Sequence, residues 1–189
     1  SAALAEASLA VSFHPWGTPL KVDTVDAQAL EIARRAVPAE SGRSFPVLGP
    51  PLDGIEVAVR GRDGAVLGDR EVGVLHLRGE CITEQYLTVD GPVATQDADK
   101  WLDTGDLGYL VDGEVVVCGR VKDVIIMGGR NIYPTDIERV AQSIDGVRAG
   151  NAVAVRWTTP SGRESFAVAV ESREAGDQDA AERIRQAVR

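Results

Sequence analysis

The chain has 189 residues, of which 44% are hydrophobic and 26% are charged, a composition typical of one large globular domain or two small ones. Its formal net charge of −9 argues against a nucleic-acid partner, because the phosphates of such a partner require a basic surface. Two histidines are too few for a histidine-based metal site, and no apolar stretch approaches the roughly 18 residues of a membrane span.

The first 100 residues predict short strands between turns, with one helix among them. A strand over Leu20–Val22 leads into a helix over Thr24–Val37, because Val25, Ala29, Ile32 and Ala36 recur at helical spacing. Residues 80–100 are less regular and predict a short helical turn with a loop. The remaining strands, which we expect to form a small sheet or barrel, are Phe45–Leu48, Ile55–Arg60 and Val72–Arg78.

The stretch from Trp101 to Glu138 contains the densest set of glycine turns and most of the candidate polar residues. A change of composition after Gly119 predicts a boundary between residues 1–119 and a smaller α+β domain over 120–189. The final helix runs to Arg189, so we expect this domain to continue beyond it. The predicted elements of this half are the strands Glu114–Cys118 and Val121–Met127, the helix Pro134–Ile144, the strands Ala152–Trp157 and Ser165–Glu171, and a helix from about Asp177.

The two cysteines, Cys81 and Cys118, lie far apart and neither has a neighbour at CxxC spacing. Cys118 ends an apolar run, which is typical of a buried, reduced thiol. Reduced thiols predict a cytoplasmic location.

Thr104-Gly105-Asp106 is the first candidate site. A carboxylate beside a glycine on a tight turn can accept two hydrogen bonds from a vicinal diol such as a ribose. The same carboxylate could instead cap its own turn, and the residues alone leave both roles open.

Two further groups of polar residues follow along the chain. Arg120 offers a planar donor fork for hydroxyl or phosphate oxygens, and Lys122 adds a flexible positive charge, although both could be solvated on an exposed turn. In Gly128-Gly129-Arg130 the glycines permit positive φ or close approach of a ligand. The chain contains neither a Walker loop nor a GxGxxG motif. These residues predict an anion or nucleotide site that lacks a classical phosphate cradle.

The order of these groups resembles the adenylate-forming superfamily of acyl-CoA synthetases, peptide-synthetase adenylation domains and luciferases. WLDTGDLGYL and CGRVKDVIIMGGRNIYPTDIE follow one another at the interval found in that superfamily, and VGVLHLRG resembles its preceding strand. GRNIYPTDIE and LAEASLAVS are most similar to the fatty-acyl-AMP ligase branch. The resemblance implies an α+β chain, with a β-rich, barrel-like part of the large adenylation domain over residues 1–119. The small mobile C-terminal domain would follow over 120–189.

Such enzymes condense a carboxylic acid with Mg-ATP to give an acyl-adenylate, and then pass the acyl group to a thiol. By resemblance, Asp106 binds the ribose hydroxyls of ATP or AMP, Arg120 assists there, and Glu6 approaches Mg²⁺ and the phosphates. Lys122 is the hinge between the two domains. Gly128, Gly129 and Arg130 line the path of the thiol arm. The chain departs from the family at Ala2 and Ala3, where an aromatic-glycine pair normally supplies the residue that stacks on adenine.

The resemblance implies a fatty acid substrate and an acyl carrier protein as the acceptor, within lipid or polyketide assembly. Two alternatives stay open: an acyl- or aryl-CoA ligase, which would use coenzyme A, and a non-catalytic binding module of the same fold. The phosphate loop and the C-terminal catalytic lysine of the family lie outside residues 1–189. We therefore expect no catalytic residue in this chain, which alone should bind nucleotide weakly and form no adenylate.

Overall fold

The computed structural model describes residues 2–128, 130–159, 162–172 and 178–187. The chain divides into two compact units, Ser1–Val121 and Lys122–Arg189. This division lies two residues after the predicted boundary between 119 and 120. Within the described residues, no helix has both the length and the apolar character needed to cross a membrane.

Over residues 2–121 the first unit contains ten strands, with a 3₁₀ turn at Ala5–Ala7 and a π-helical turn at Ala29–Ala33. Its strands in chain order are β1 (Ala2–Leu4), β2 (Leu9–Ser12), β3 (Val22–Val25), β4 (Arg43–Pro46), β5 (Ile55–Arg60), β6 (Gly73–Gly79), β7 (Gln85–Thr88), β8 (Gly91–Ala94), β9 (Leu102–Val111) and β10 (Glu114–Arg120).

The centre of the first unit is an antiparallel sheet of four strands in the order β10-β9-β6-β5. Its strands alternate side chains between two faces, and one face presents Val59, Leu75 and Val115, which are buried together. Within the described residues this sheet is open, and no closed barrel forms. The predicted α+β class is therefore confirmed, without a closed barrel.

The opposite face of the sheet is centred on Tyr109, whose side chain is fully buried. Its ring packs edge-on against Phe45 of β4 at 6.5 Å between centroids, and its hydroxyl donates to Asp23 Oδ2 of β3 at 2.6 Å. Burial, together with this bond to a carboxylate, raises the pKa of Tyr109. The β3–β4 hairpin is thereby fixed on this face.

Two stretches among the first 100 residues differ from their predicted secondary structure. The helix predicted over Thr24–Val37 is replaced by strand β3 and the short turn at Ala29–Ala33, whose first backbone N–H donates to Asp26 Oδ1 at 2.6 Å. Pairing of β3 with β4 takes up the backbone groups that a longer helix would have needed. Residues 80–100 form the β7–β8 hairpin instead of a helical turn with a loop.

The second unit packs one helix against a two-stranded sheet. Helix α1 (Pro134–Gln142) buries Ile137 beside Ala154 and Ile125, and its bounds agree with the predicted helix to within two residues. Pro134 opens the helix, as expected for a residue with no N–H to donate. The other elements of the second unit are β11 (Ile125–Met127), β12 (Arg130–Ile132), β13 (Val147–Thr158), β14 (Glu164–Ser172) and α2 (Gln178–Ala187).

Candidate functional site

The Thr104–Asp106 motif lies inside strand β9, and not on a turn between two elements as predicted. On one side of the motif Leu107 pairs with Val74 of β6, and on the other side Asp103 pairs with His76. Only one residue of β6 therefore faces three residues of β9. The motif forms a bulge whose two ends are fixed by the sheet.

Hydrogen bonds from neighbouring side chains hold this bulge. Gly105 has a φ of +69°, and its N–H donates to Asp103 Oδ1 at 2.8 Å. The Thr104 hydroxyl donates to Leu75 O at 2.8 Å and accepts from the N–H of Asp106 at 3.0 Å. The capping role that the sequence left open for Asp106 is thus filled by Asp103 and Thr104. The Asp106 carboxylate is directed to other partners.

Asp106 forms an ion pair with Arg120, which lies opposite it at the end of β10. Arg120 Nε is 3.0 Å from Asp106 Oδ1. The Asp106 side chain is 19% exposed and that of Arg120 is 51% exposed. The carboxylate is therefore largely shielded from solvent, whereas the guanidinium is half-exposed. A polar ligand at this place would meet a fixed acceptor and an adaptable donor fork side by side.

A small apolar recess of about 30 Å³ is lined in part by Asp106. A space of this size can hold water but not a nucleoside, so it is a recess beside Asp106 and not a closed ligand chamber. Ala2 and Ala3 of β1 contribute to its wall, which places the start of the described chain next to the bulge. The other lining residues are Leu4, Val11, Val57, Leu75, Leu77, Thr104, Val115 and Val117.

Glu6 lies on the 3₁₀ turn and accepts a hydrogen bond on Oε1 from the hydroxyl of Tyr86. This bond lowers the pKa of Glu6; its own backbone N–H and the positive charge of Arg120 act in the same direction. Glu6 therefore carries its negative charge at neutral pH. The structure brings three predicted residues, Glu6, Asp106 and Arg120, into one region of the first unit.

Tyr86 was missed by the sequence, since it lies in the stretch predicted to be a helical turn and loop. Nothing in the local pattern connects it to Glu6, from which it is separated by 80 residues along the chain. The hydroxyl contact depends entirely on the fold.

The other predicted residues belong to the second unit. Lys122 is its first residue and is exposed. Immediately before it, the N–H of Val121 donates to Gly105 O at 2.8 Å, which anchors the end of the first unit on the bulge. Gly128, with φ +57°, and Arg130 flank the turn between β11 and β12. Gly129 lies outside the described residues.

Metal-binding capacity in the described parts of the chain is limited. No group of three or more His, Cys, Asp or Glu side chains is close enough there to hold a metal ion. Cys81 and Cys118 are free thiols, and burial raises the pKa of Cys118 to about 12. Any divalent cation at Glu6 would have to take its remaining ligands from a substrate, water or other residues.

No family model matches the sequence, but individual proteins do. A Mycobacterium tuberculosis protein named as a ligase is 58% identical over 172 residues, which cover 89% of this chain and 32% of the relative. A Caulobacter vibrioides protein named as an acyl-CoA synthetase is 40% identical, covering 98% of this chain and 33% of the relative. A Moorena producens medium-chain-fatty-acid–acyl-carrier-protein ligase is 36% identical, and the match covers 80% of this chain and 28% of the relative.

Among solved structures, a fatty acyl-adenylate ligase from a study of the E. coli and L. pneumophila enzymes matches with a TM-score of 0.80 and 32% identity. The match covers 98% of this chain and 33% of that structure. The chain thus spans about a third of the length of the first two curated relatives. These relatives and the fold agree with the resemblance read from the motifs, and the chain belongs to the adenylate-forming superfamily of ligases.

Proposed function

We propose that the full protein carrying this chain is an ATP-dependent fatty-acyl-AMP ligase. It would join a fatty acid carboxylate to the α-phosphate of ATP with release of pyrophosphate, and then pass the acyl group to the thiol of an acyl carrier protein with release of AMP. The observation that carries the proposal is the Asp106–Arg120 pair, held on a bulge between β6 and β10. Residues 1–121 would be part of the large adenylating domain, and 122–189 part of the small mobile domain.

The proposed nucleotide contacts follow from the chemistry of this pair. Asp106 would accept hydrogen bonds from the two ribose hydroxyls of ATP or AMP, because an ionised carboxylate has two oxygens with acceptor positions to spare. Arg120 would turn from its ion pair toward the ribose, which its half-exposed side chain permits. The apolar recess beside Asp106 would lie under the nucleoside.

Glu6 fits a role toward Mg²⁺, because Mg²⁺ is usually held by one or two carboxylates together with substrate phosphates and water. Glu6 provides an ionised carboxylate for this role. When bound, the ion would offset negative charge on the phosphates of ATP. Glu6 would hold it on the same side of the unit as Asp106 and Arg120.

Lys122 would serve as the hinge between the two units. The hydrogen bond from Val121 N to Gly105 O fixes the chain up to the last residue of the first unit, so backbone rotation is first available at Lys122. Gly128, Gly129 and Arg130 would line the path of the thiol arm during acyl transfer. Small residues there leave room for such an arm.

The acceptor distinguishes two candidate functions. The Moorena producens relative, named as an acyl-carrier-protein ligase, supports an acyl carrier protein. The GRNIYPTDIE sequence and the fatty acyl-adenylate ligase structure support the fatty-acyl-AMP ligase branch. The Caulobacter vibrioides relative, named as an acyl-CoA synthetase, favours coenzyme A as the second candidate. Both free cysteines, Cys81 exposed and Cys118 buried, belong to the first unit, and free thiols fit a cytoplasmic setting for either enzyme.

The test uses the purified full-length protein with ATP and a series of fatty acids. We expect acid-dependent ATP–pyrophosphate exchange, followed by acyl transfer to a carrier protein that bears phosphopantetheine. The matched control is the same carrier without phosphopantetheine, which should accept nothing. Faster transfer to coenzyme A would favour the second candidate. No exchange with any acid would support a non-catalytic binding module and contradict the proposal.

A further inference from the structure

The β7–β8 hairpin is attached to the 3₁₀ turn that carries Glu6. The N–H of Thr83 donates to Glu6 O at 2.8 Å, and the Ser8 hydroxyl donates to Cys81 O at 3.4 Å. Ile82 is buried in the same hydrophobic cluster as Ala7. The segment that leads into β7 is therefore fixed to the Glu6 turn by backbone, side-chain and apolar contacts.

The base of the hairpin is closed by bonds between its two arms. The Thr95 N–H donates to Glu84 O at 3.0 Å, and Gln96 Nε2 donates to Ile82 O at 3.1 Å. Tyr86 follows directly after this closed base, where it pairs with Val93 across the hairpin. The Tyr86 hydroxyl therefore contacts Glu6 from a hairpin whose base is closed by hydrogen bonds.

The partner of Glu6 differs in charge from those of many other carboxylates in the first unit. Arg78, Arg60 and Lys21 hold carboxylates by direct ion pairs, with Glu56, Asp97 and Glu114 as their respective partners. The hydroxyl bonded to Glu6 is neutral. It fixes one oxygen of a long and otherwise mobile side chain without cancelling its negative charge. Such an arrangement suits a carboxylate that must face a cation.

We propose that Tyr86 is a positioning residue that orients the Glu6 carboxylate for a Mg²⁺–nucleotide complex. This inference rests on the proposed function, in which Glu6 approaches Mg²⁺. Tyr86 itself touches neither the nucleotide nor the reacting atoms. It acts through Glu6, in the way that outer partners orient the direct ligands of a metal.

The experiment measures nucleotide binding by the full-length protein without an acid substrate, so that no turnover occurs. ATP affinity is titrated over a range of Mg²⁺ concentrations, and AMP affinity is measured in parallel. Loss of an outer partner typically costs about 10- to 100-fold in metal affinity. Because Tyr86 is partly exposed, we expect Tyr86→Phe to raise the half-saturating Mg²⁺ concentration by about tenfold, the lower end of that range. AMP affinity should not change.

Tyr109→Phe is the matched control, since it also removes a tyrosine hydroxyl bonded to a carboxylate in the first unit. It should lower thermal stability and leave the Mg²⁺ dependence unchanged. In a Glu6→Gln background, adding Tyr86→Phe should have no further effect, because the carboxylate that Tyr86 orients has gone.

An unchanged Mg²⁺ dependence in Tyr86→Phe would overturn the inference, as would an equal shift in Tyr109→Phe. A further shift on adding Tyr86→Phe to Glu6→Gln would also overturn it, since Tyr86 would then act by another route. Absence of Mg²⁺-dependent ATP binding in the parent protein is a separate result. It would overturn the proposed function itself.

Discussion

Replacing Asp106 tests the proposed ribose contact most directly. Asp106→Ala removes the carboxylate, whereas Asp106→Asn keeps its shape and one accepting oxygen but removes the charge. The backbone of the bulge should survive both changes, because the bonds that hold it come from Asp103 and Thr104. Any change in ATP use can then be assigned to the side chain.

The expected loss follows from the number of hydrogen bonds removed. A hydrogen bond to a charged group contributes roughly 1.5–3 kcal/mol, and Asp106 would accept two from the ribose. We take the lower value because the side chain keeps some contact with solvent, which gives about 3 kcal/mol. That figure corresponds to a decrease of about 100-fold in kcat/KM for ATP with Asp106→Ala. Asp106→Asn should lose one of the two hydrogen bonds, and its kcat/KM for ATP should fall by about tenfold.

The effect on stability should be small by comparison. Arg120 is 51% exposed, so its ion pair with Asp106 contributes no more than about 1 kcal/mol. This corresponds to a fall in Tm of at most about 4 °C for a domain of roughly 200 residues, and to less in the larger full-length protein. Glu56→Ala is the matched control, because Glu56 also forms an exposed ion pair with an arginine on the same sheet. It should leave ATP use unchanged.

The assay is ATP–pyrophosphate exchange by the full-length protein, with ATP varied at saturating fatty acid, together with thermal unfolding of each variant. A folded Asp106→Ala protein with unchanged kcat/KM for ATP would refute the ribose contact. So would a loss of the same size in Glu56→Ala, because the effect would then reflect disturbance of the sheet.

Three further predictions concern other parts of the chain. Lys122→Pro should affect adenylation and acyl transfer by different factors, since only domain rotation requires the hinge; equal loss in both half-reactions would contradict this role. Burial raises the pKa of Cys118 to about 12, so at pH 8 it should remain a thiol in native protein while exposed Cys81 reacts with DTNB, and Cys118 should react only after denaturation. Rapid reaction of Cys118 in native protein would contradict that burial. Gly108→Ala should destabilise the protein by about 1–3 kcal/mol in urea unfolding, because the added Cβ would lie 2.2 Å from Val116 O, and an unchanged midpoint would refute this packing.

Strands with regular alternation and the helix α1 were predictable from the sequence, because their apolar spacing reflects burial on one face. β5 was predicted with its observed bounds, Ile55–Arg60. The β7–β8 hairpin was not, since all four residues of β7 are exposed and leave no alternating pattern. The helix predicted over Thr24–Val37 failed because part of its apolar pattern belongs to strand β3, which pairs with β4.

The residues of the candidate site could be selected from their order along the chain, but their arrangement could not. A tight turn was predicted at Thr104–Asp106, and in the structure Gly105 has positive φ within a strand bulge. Its place within a strand depends on pairing with β6, which no local pattern specifies. The contact between Tyr86 and Glu6 likewise arises only when distant segments pack together.

The bulge in β9 also restricts how this site can vary among descendants of the gene or in engineered versions. Its three residues face one residue of β6. Deleting one of them would therefore move every later side chain of the strand to the other face of the sheet. Leu107 through Val111 would then exchange faces, and the buried Tyr109 ring would be turned away from Asp23. Substitutions should therefore be accepted here far more readily than changes in length.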